Sequence, residues 1–531
     1  MRYEEVPVLI VGGSLVGLST SLFLARHGVQ HLVVERHPGT AIHPRAAFLM
    51  QRTVECYRGA GIEADVIEAA RREFVQNGAI VAVESLAGRE LQYFFRNVND
   101  GVEALSPSPR IFVTQIGLEP VLRDHAARLG GRLRYSAELT SLGVSDDSVT
   151  AVVRDRGAGE ETTVRAAYAV AADGVRSPVR EQLGIGMTGH GTFSDSITIY
   201  FRADVRQLLG ERNLSVVYVV NPALQGFFRF SFDGLSGFLV VNSALDEEGR
   251  RTTTIGPTAT DDNCVRYIRT ALGAPDIAVE VEDVQRWNAA ADWARQMRSG
   301  RVFLAGDSAH VMPPTGGYGG NTGVHDAHNL AWKLAYVLDG RAGPDLLDTY
   351  EAERLPAARF TVEQAYTRYV TRLDPGLGTD GLEPVVEDAP IDLGVRYRSA
   401  AISGDDGDDG ASWEDPHTPS GRPGFRAPAV AAHHDGAEVS TVDLIGTAPV
   451  LFAGPDGDAW VRAASAAAGR LGVPLDTHRV DVEGSGFGRA YGIGPAGAVL
   501  VRPDGYIAWR AVDAGDGAEV DAALARMLCR T

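Results

Sequence analysis

VLIVGGSLVGLSTSLFLARHG, running from Val8 to Gly28, is the stretch whose reading decides the fold. Val6 to Val11 is a short continuous apolar run, as expected of a strand buried on both faces. Leu15 to His27 carries apolar residues at helical spacing, and Gly28 stands where a helix stop belongs. Gln30 to Val34 is a second apolar run, so strand, helix and strand close within about 30 residues as a βαβ crossover. A dinucleotide-binding turn asks for one glycine to make the turn, one to admit a pyrophosphate and one to let helix pack on strand. Gly12 and Gly17 fill the first and last roles, and Ser14 stands at the middle one, small and able to offer its hydroxyl to a phosphate. The helix that begins near Leu15 presents free amides and a partial positive charge to an anion.

Glu35 follows at the end of the second strand, 23 positions after Gly12. An acid there accepts hydrogen bonds from an adenosine ribose and disfavours a 2′-phosphate, so the expected nucleotide is FAD or NAD rather than NADP. Pro7 to Ala25 carries no charge and is long enough to be weighed as a membrane span. Gly12, Gly13 and Ser14 interrupt it, Glu4 and Glu5 precede it, and no cleavage site follows, so it is read as part of a folded domain.

The rest of the chain is that of a large soluble protein. Its 531 residues suffice for three or four domains, with 44% hydrophobic and 22% charged residues. A formal charge of -19 argues against a nucleic-acid groove or an anionic membrane surface as the main partner. Cys56, Cys264 and Cys529 are far apart and form no metal-ligand spacing, which fits reduced thiols in a cytoplasmic protein. Lys333 is the only lysine; every other fixed cation is arginine.

From Phe74 to Phe95 and from Ser196 to Ser243 strand-like runs (ITIYFRADV, LSVVYVV, GFFRFSF, GFLVVNS) follow one another without helices between them. They imply an antiparallel sheet made from two insertions into the α/β part, fit to wall a pocket. Ser403 to Pro428 is rich in Gly, Pro and Asp and reads as a linker or wrapping segment. Beyond it APVLFAG, a helical WVRAASAAAGRLG, THRVDV, a hairpin about Asp504 and Gly505, and an amphipathic helix ending near Cys529 follow a thioredoxin-like order without its two-cysteine motif. The expected division is an FAD-binding domain (1–72, 108–182 and 280–395), a substrate-binding β-sheet domain (73–107 and 183–279) and a linker with a thioredoxin-like domain (396–531).

One further segment is the most specific: RVFLAGDSAHVMPPTGGYGGNTGVHDAHNLAWKLA, Arg301 to Ala335. Asp307 at a strand end can accept hydrogen bonds from a sugar-alcohol chain. The Gly-rich loop after it lets backbone approach a flat ring, and amides at the start of the Asn321 helix can stabilise negative charge on that ring. His325 and His328 stand three apart without a third ligand, so no metal site is expected and both are assigned to the helix surface. No G-x-S-x-G elbow supports a hydrolase.

Val8 to Arg36, Pro44 to Arg52, Gln115 to Leu122, Asp173 to Arg180 and Gly306 to Lys333 together resemble the FAD-dependent aromatic hydroxylases, single-component flavoprotein monooxygenases. LLDTYEAERLPAA, RYRSAA, TPSGRPGFRAP, STVDLIG and YGIGPAGAVLVRPDGYIAWR extend the resemblance to the aromatic polyketide hydroxylases over nearly the whole chain. The resemblance implies a glutathione-reductase-type, Rossmann-like FAD domain. In it the Leu15 and Val16 amides meet the pyrophosphate, Glu35 the adenosine ribose, and Arg45 and Gln115 the phosphate and ribityl region. Asp307 holds the ribityl chain and the loop from Gly316 to Thr322 the isoalloxazine. Arg36, Asp173, Gly174, Pro314, Gly317, Gly319, Gly320 and Asn321 complete the implied cofactor-binding set. Ser14 and Ser308, where alanine is common, are the departures.

The implied reaction is reduction of FAD by NADPH docking near Arg45 and the Asp173 turn, addition of O2 to give a flavin C4a-hydroperoxide, and oxygen transfer to an electron-rich phenolic carbon. The implied substrate is a polycyclic aromatic phenol of anthracycline or angucycline type, handled by a monomer or homodimer. Arg368 and Arg372 lie four apart on one helix face. Arg372 is the candidate for stabilising a phenolate and Tyr218 for touching the substrate. Baeyer-Villiger oxygen insertion and a non-catalytic FAD-fold binding protein are the alternatives.

Overall fold

The computed structural model describes residues 2–42, 48–246, 249–404, 408–480, 484 and 486–530. It begins with β1 (Arg2–Val11), α1 (Leu15–Arg26) and β2 (His31–Val34), joined in parallel from Val8↔His31 to Val11↔Val34. Val8, Leu9 and Ile10 are fully buried, which is why the run carries no polar alternation. Gly12 turns the chain at φ +104, and a Cβ there would lie 2.2 Å from the Ala172 carbonyl oxygen.

The next elements are α2 (Gln51–Gly59), β3 (Ala79–Val83), β4 (Glu90–Phe95), α3 (Gln115–Arg128), β5 (Arg132–Arg134), β6 (Ala137–Val144), β7 (Val149–Asp155) and β8 (Glu161–Ala171). Then come β9 (Met187–Arg202), β10 (Leu214–Val220), β11 (Leu224–Phe230), β12 (Ser236–Leu245), α4 (Asp261–Leu272) and β13 (Glu280–Ala294). The chain continues with β14 (Val302–Leu304), α5 (Tyr318–Leu338), α6 (Asp348–Arg372) and α7 (Asp388–Leu393). It closes with β15 (Val450–Ala453), α8 (Asp458–Leu471), β16 (Asp476–Arg479), β17 (Ala498–Val501), β18 (Ile507–Ala511) and α9 (Gly517–Met527).

The first sheet runs β14-β8-β1-β2-β5 with all four pairings parallel, and Arg298–Ser299 edges it. The β6–β7 ribbon joins it antiparallel through β8. Among the described residues the second sheet has nine strands, with the order His310–Val311, β13, β9, β12, β11, β10, β3, β4 and Arg251–Thr252 beside β12.

Two expectations change here. The β3–β10 pairing is parallel, so the second sheet is mixed rather than antiparallel throughout. Residues 280–294, assigned above to the FAD-binding domain, pair with β9 from Glu280↔Arg202 to Ala294↔Met187 and belong to the second sheet. The stretch EVEDVQRWNAAADWA hides this because its faces are unevenly buried and carry no clean alternation.

One face of the second sheet packs Ile197, Phe201, Val217, Phe228 and Leu239 against Cys264, Ile268 and Leu272 of α4. Thr260 caps α4 by accepting from the Asn263 amide, and left-handed Gly273 ends it. Tyr218, Phe227 and Trp287 alternate onto the other face, toward the end of α6.

In the C-terminal part β15 is parallel to β16 and antiparallel to β17, which is antiparallel to β18. An Asp516–Glu519 capping box starts α9. This part meets α5 and α6 through a buried ionic cluster. Lys333 Nζ donates to Glu353 Oε2 at 2.7 Å, Arg502 forks onto Glu353 at 2.6 and 2.8 Å and also pairs with Asp504, and Asn329 donates to both acids. Lys333 and Arg502 are fully buried and Glu353 is 1% exposed. Burial pulls the Lys333 ammonium down to about 8 against the opposing pull of Glu353. Among the described residues no helix is long and apolar enough to cross a membrane.

Candidate active site

The cradle at the end of β1 is built by close backbone approach. A Cβ on Gly17 would stand 1.8 Å from the Gly12 carbonyl oxygen, and Cβ atoms on Gly306 or Gly323 would strike Val16 at 2.7 and 2.5 Å. The first turns of α1 and α5 and the end of β14 therefore converge on one point, possible only with glycine at these crossings. Glu35 caps the edge of the cradle, its carboxylate accepting from the Gly13 amide at 2.7 Å and the His37 amide at 2.8 Å. This donor and acceptor set fits the adenylate end of a dinucleotide.

Ser14 does something else than expected. Its hydroxyl donates to Glu119 on α3 instead of standing open to a phosphate. Gln115 donates to both Ser14 Oγ and Glu119 Oε1 at 3.0 Å, and the Ala41 amide donates to Glu119 Oε2 at 2.7 Å. Glu119 is fully buried. Arg36 is exposed with its Nε 3.4 Å from His37, and Arg45 lies outside the described residues.

Asp307 sits on a 3-10 turn, Gly306–Ser308, and is the one exposed residue between Val302 and His310. Ser308 anchors that turn to the Ala171 and Ala305 carbonyls. Behind it Asp326 of α5 accepts from the Gly306 amide at 3.0 Å, from His310 Nε2 at 2.7 Å and from Arg354 Nε at 2.7 Å. Burial opposes the Asp326 charge, but Arg354 and His310 outweigh it and hold the carboxyl below its usual range. Pro314 is exposed, and Gly316 and Gly317 take φ +91 and +71, leading into α5 with Gly319 and Gly320 in its first turn. An acid turned outward beside a side-chain-free loop fits the ribityl chain and flat ring of a flavin.

Several expected contacts are spent on structure. Asn321 accepts from the Met50 amide and donates to the Phe48 and Gly317 carbonyls, pinning α5 to the segment before α2. Thr322 donates to the Tyr318 carbonyl. Asp173 accepts from Ser177 Oγ and the Val179 amide, so its carboxylate closes the turn that starts at left-handed Gly174. Arg52 pairs with Glu55 at 3.0 Å and reaches the Asp504 carbonyl in the C-terminal part. His325 and His328 are not on the helix surface: His325 Nε2 contacts Thr53 Oγ1 at 3.1 Å, His328 stands edge-on to Phe23, and burial holds both imidazoles neutral, His328 down to about 3.

The aromatic face of the second sheet meets the end of α6. Tyr218 lies 5.7 Å from Phe94 and 5.8 Å from Phe227, centroid to centroid, and the Arg372 guanidinium lies over the Phe94 ring at 4.9 Å. Burial raises the Tyr218 phenol, and Arg372 pulls it back. Among the described residues Arg372 has no carboxylate partner, whereas Arg368 is 2% exposed and committed to Gln364, Val386 and Asp388. Asp388 also accepts from the phenol of Tyr318, the residue that follows Gly316 and Gly317 and begins α5. Sequence reasoning singled out Tyr218 and Arg372, which the structure brings together around Phe94, and did not single out Glu119, Asp326, Arg354 or Asp388. The only signal for Glu119 was its spacing four after Gln115.

Residues 5–365 match the FAD binding domain family and residues 420–531 the aromatic-ring hydroxylase C-terminal family. The 4-methyl-5-nitrocatechol 5-monooxygenase of a Burkholderia species is 50% identical, over 99% of this chain and 98% of that protein. The aklavinone 12-hydroxylase of Streptomyces purpurascens is 42% identical over the full length of both. A crystal structure of aklavinone-11 hydroxylase with FAD and aklavinone superposes with a TM-score of 0.93 at 41% identity, covering both chains fully.

Proposed function

This chain belongs to the FAD-binding aromatic-ring hydroxylases and is a flavin-dependent monooxygenase, and on that premise we propose that it hydroxylates a polycyclic aromatic phenol of polyketide origin, with NADPH as reductant and O2 as oxidant. The observation that carries the substrate side is Arg372, a half-buried cation without a carboxylate partner among the described residues, set against Phe94 and Tyr218 and near enough to Tyr318 to pull on its phenol. Bound FAD supplies the redox and oxygen chemistry. Its implied holders are the α1 amides, Glu35, Asp307 and the backbone from Gly316 to Thr322.

The remaining tasks fall to side chains. Arg372 favours the phenolate of the substrate over the phenol and so enriches the ring carbon that is attacked. Tyr218 orients the substrate through its hydroxyl. Asp388, held by Arg368, fixes Tyr318 and with it the entry to α5. The rings of Phe94, Phe227 and Phe238 keep water from the reacting atoms.

A second reading is a monocyclic nitrocatechol as substrate, favoured by the 50% identity to the Burkholderia enzyme. The two differ in their need for Arg372, because a nitrocatechol ionises readily without a cation. The C-terminal part is read as thioredoxin-like on its βαβ and ββα order, serving as a docking unit. A cytoplasmic monomer or homodimer is the corresponding reading of the whole. The test is incubation of the purified yellow protein with NADPH, O2 and a panel of anthracycline and angucycline aglycones beside 4-methyl-5-nitrocatechol. A gain of one oxygen in a polycyclic scaffold, with the new hydroxyl located by NMR, supports the reading. A ring-expanded product supports Baeyer-Villiger insertion instead, and turnover of the nitrocatechol alone supports the second reading.

A further inference from the structure

Glu119 is a fully buried acid pressed against the start of α1. Its oxygens accept from Ser14 Oγ, the Ala41 amide and Gln115 Nε2, and the Leu15 amide also points to it. Leu15 is the first residue of α1, the helix end whose amides a dinucleotide pyrophosphate needs. A carboxylate is thus lodged where a second anion is to arrive.

The described residues around it do not neutralise it. From α3 itself it faces Gln115; from the start of α1, Ser14 and Leu15; from α2, the Tyr57 phenol; from the segment after β2, Glu35 and the Ala41 amide; and from the segment after β5, the Tyr135 phenol with Arg123 near it. Among the described residues no arginine or lysine forms an ion pair with Glu119, and Glu35 adds a like charge. Burial already pushes its carboxyl above the ordinary range, opposed by the Ser14 hydroxyl. A dianionic pyrophosphate on the same amides pushes it in the same direction.

We propose that Glu119 is a proton-coupled part of the cofactor cradle: it is ionised in the free protein, where it occupies the α1 amides, and takes up one proton when the FAD pyrophosphate binds there. The neutral carboxyl then offers an O–H donor beside the phosphates in place of a repelling charge. Ser14 acquires a reason to replace glycine, since its hydroxyl holds the ionised form in the empty cradle. This inference rests on FAD being the resident cofactor.

The sign follows from linkage. A group that gains a proton on binding makes affinity fall as pH rises between its free and bound ionisation points, by up to tenfold per pH unit. The test is the FAD dissociation constant of the apoprotein from about pH 5 to about pH 9, read by quenching of flavin fluorescence. The wild type is expected to lose affinity toward high pH and E119Q to lose that slope. S14G removes a donor to the carboxylate, so the fall is expected to begin at a higher pH. Should E119Q not fold, calorimetry of the wild type in two buffers of different ionisation enthalpy reads the proton directly, and S14G keeps the assignment to Glu119. Equal slopes in wild type and E119Q, or no proton uptake by the wild type, overturn the proposal and leave FAD binding standing. Apoprotein that takes up no flavin at any pH overturns both.

Discussion

Arg372→Met keeps the reach of the side chain and its apolar cover over Phe94 while deleting the charge. A unit charge about 5 Å from a phenolate at an effective dielectric of ~20 is worth roughly 3 kcal/mol. Arg372 is half-buried, so solvent screens a good part of this, and about 1.5 kcal/mol is a fair remainder. That corresponds to about one pKa unit on the bound phenol and a tenfold fall in the oxygen-transfer rate wherever the phenol is not otherwise ionised. The assay is single-turnover product formation after mixing reduced, substrate-loaded enzyme with O2, repeated across pH. The variant should bind and reduce flavin as the wild type does, lose about tenfold at low pH, and recover as pH rises past the ionisation of the phenol. A loss that is the same at every pH would refute the electrostatic role and leave Arg372 a packing residue.

Lys333→Met leaves Arg502 as the one ion-pair partner of both Glu353 and Asp504 among the described residues and should cost about 3–5 kcal/mol in urea unfolding of the FAD-loaded protein. The double variant Lys333→Met/Glu353→Met leaves the Arg502–Asp504 pair intact, so its loss should be smaller than the sum of the single losses; strict additivity would contradict the cluster. Burial pushes Asp392 up to about 7 against Arg110, above its ordinary 3.8, so the folded state holds a proton that the unfolded state has lost between those values. The stability that Asp392 contributes at low pH is therefore lost as pH rises through about 7, and Asp392→Asn should gain on the wild type by up to ~4 kcal/mol at pH 8 while showing no such gain near pH 4. A pH-independent difference between the two would show that Asp392 does not titrate in this range. Gly17→Val places a side chain on the Gly12 carbonyl and should yield protein without flavin absorbance at 450 nm (approximately), so yellow variant protein would count against the cradle.

The cradle was legible because backbone crowding writes itself into sequence as glycine at fixed offsets, here Gly12, Gly17 and the Gly306 turn, with Glu35 at the next strand end. The sheet that carries Tyr218 was legible as strand-like runs with no helices between them, whereas the aromatic face itself emerges only from the alternating burial of β10. Glu119 and Asp388 were not, since an acid on a helix carries no local sign of whether it ends in water or under another element. His325 and His328 misled for the same reason, both being covered by α2 and α1 from more than 250 positions away. The parallel pairing of β3 with β10 joins strands separated by more than 100 residues and has no local pattern to reveal it.

The buried position of Lys333 has a practical consequence. Because no other side chain of the molecule carries an ε-amine, active esters and aldehydes find no lysine on its folded surface. Coupling at residue 333 thus becomes a reporter of the C-terminal unit lifting away, visible by peptide mapping as a single modified lysine, distinct from the terminal α-amine, whose yield tracks exposure.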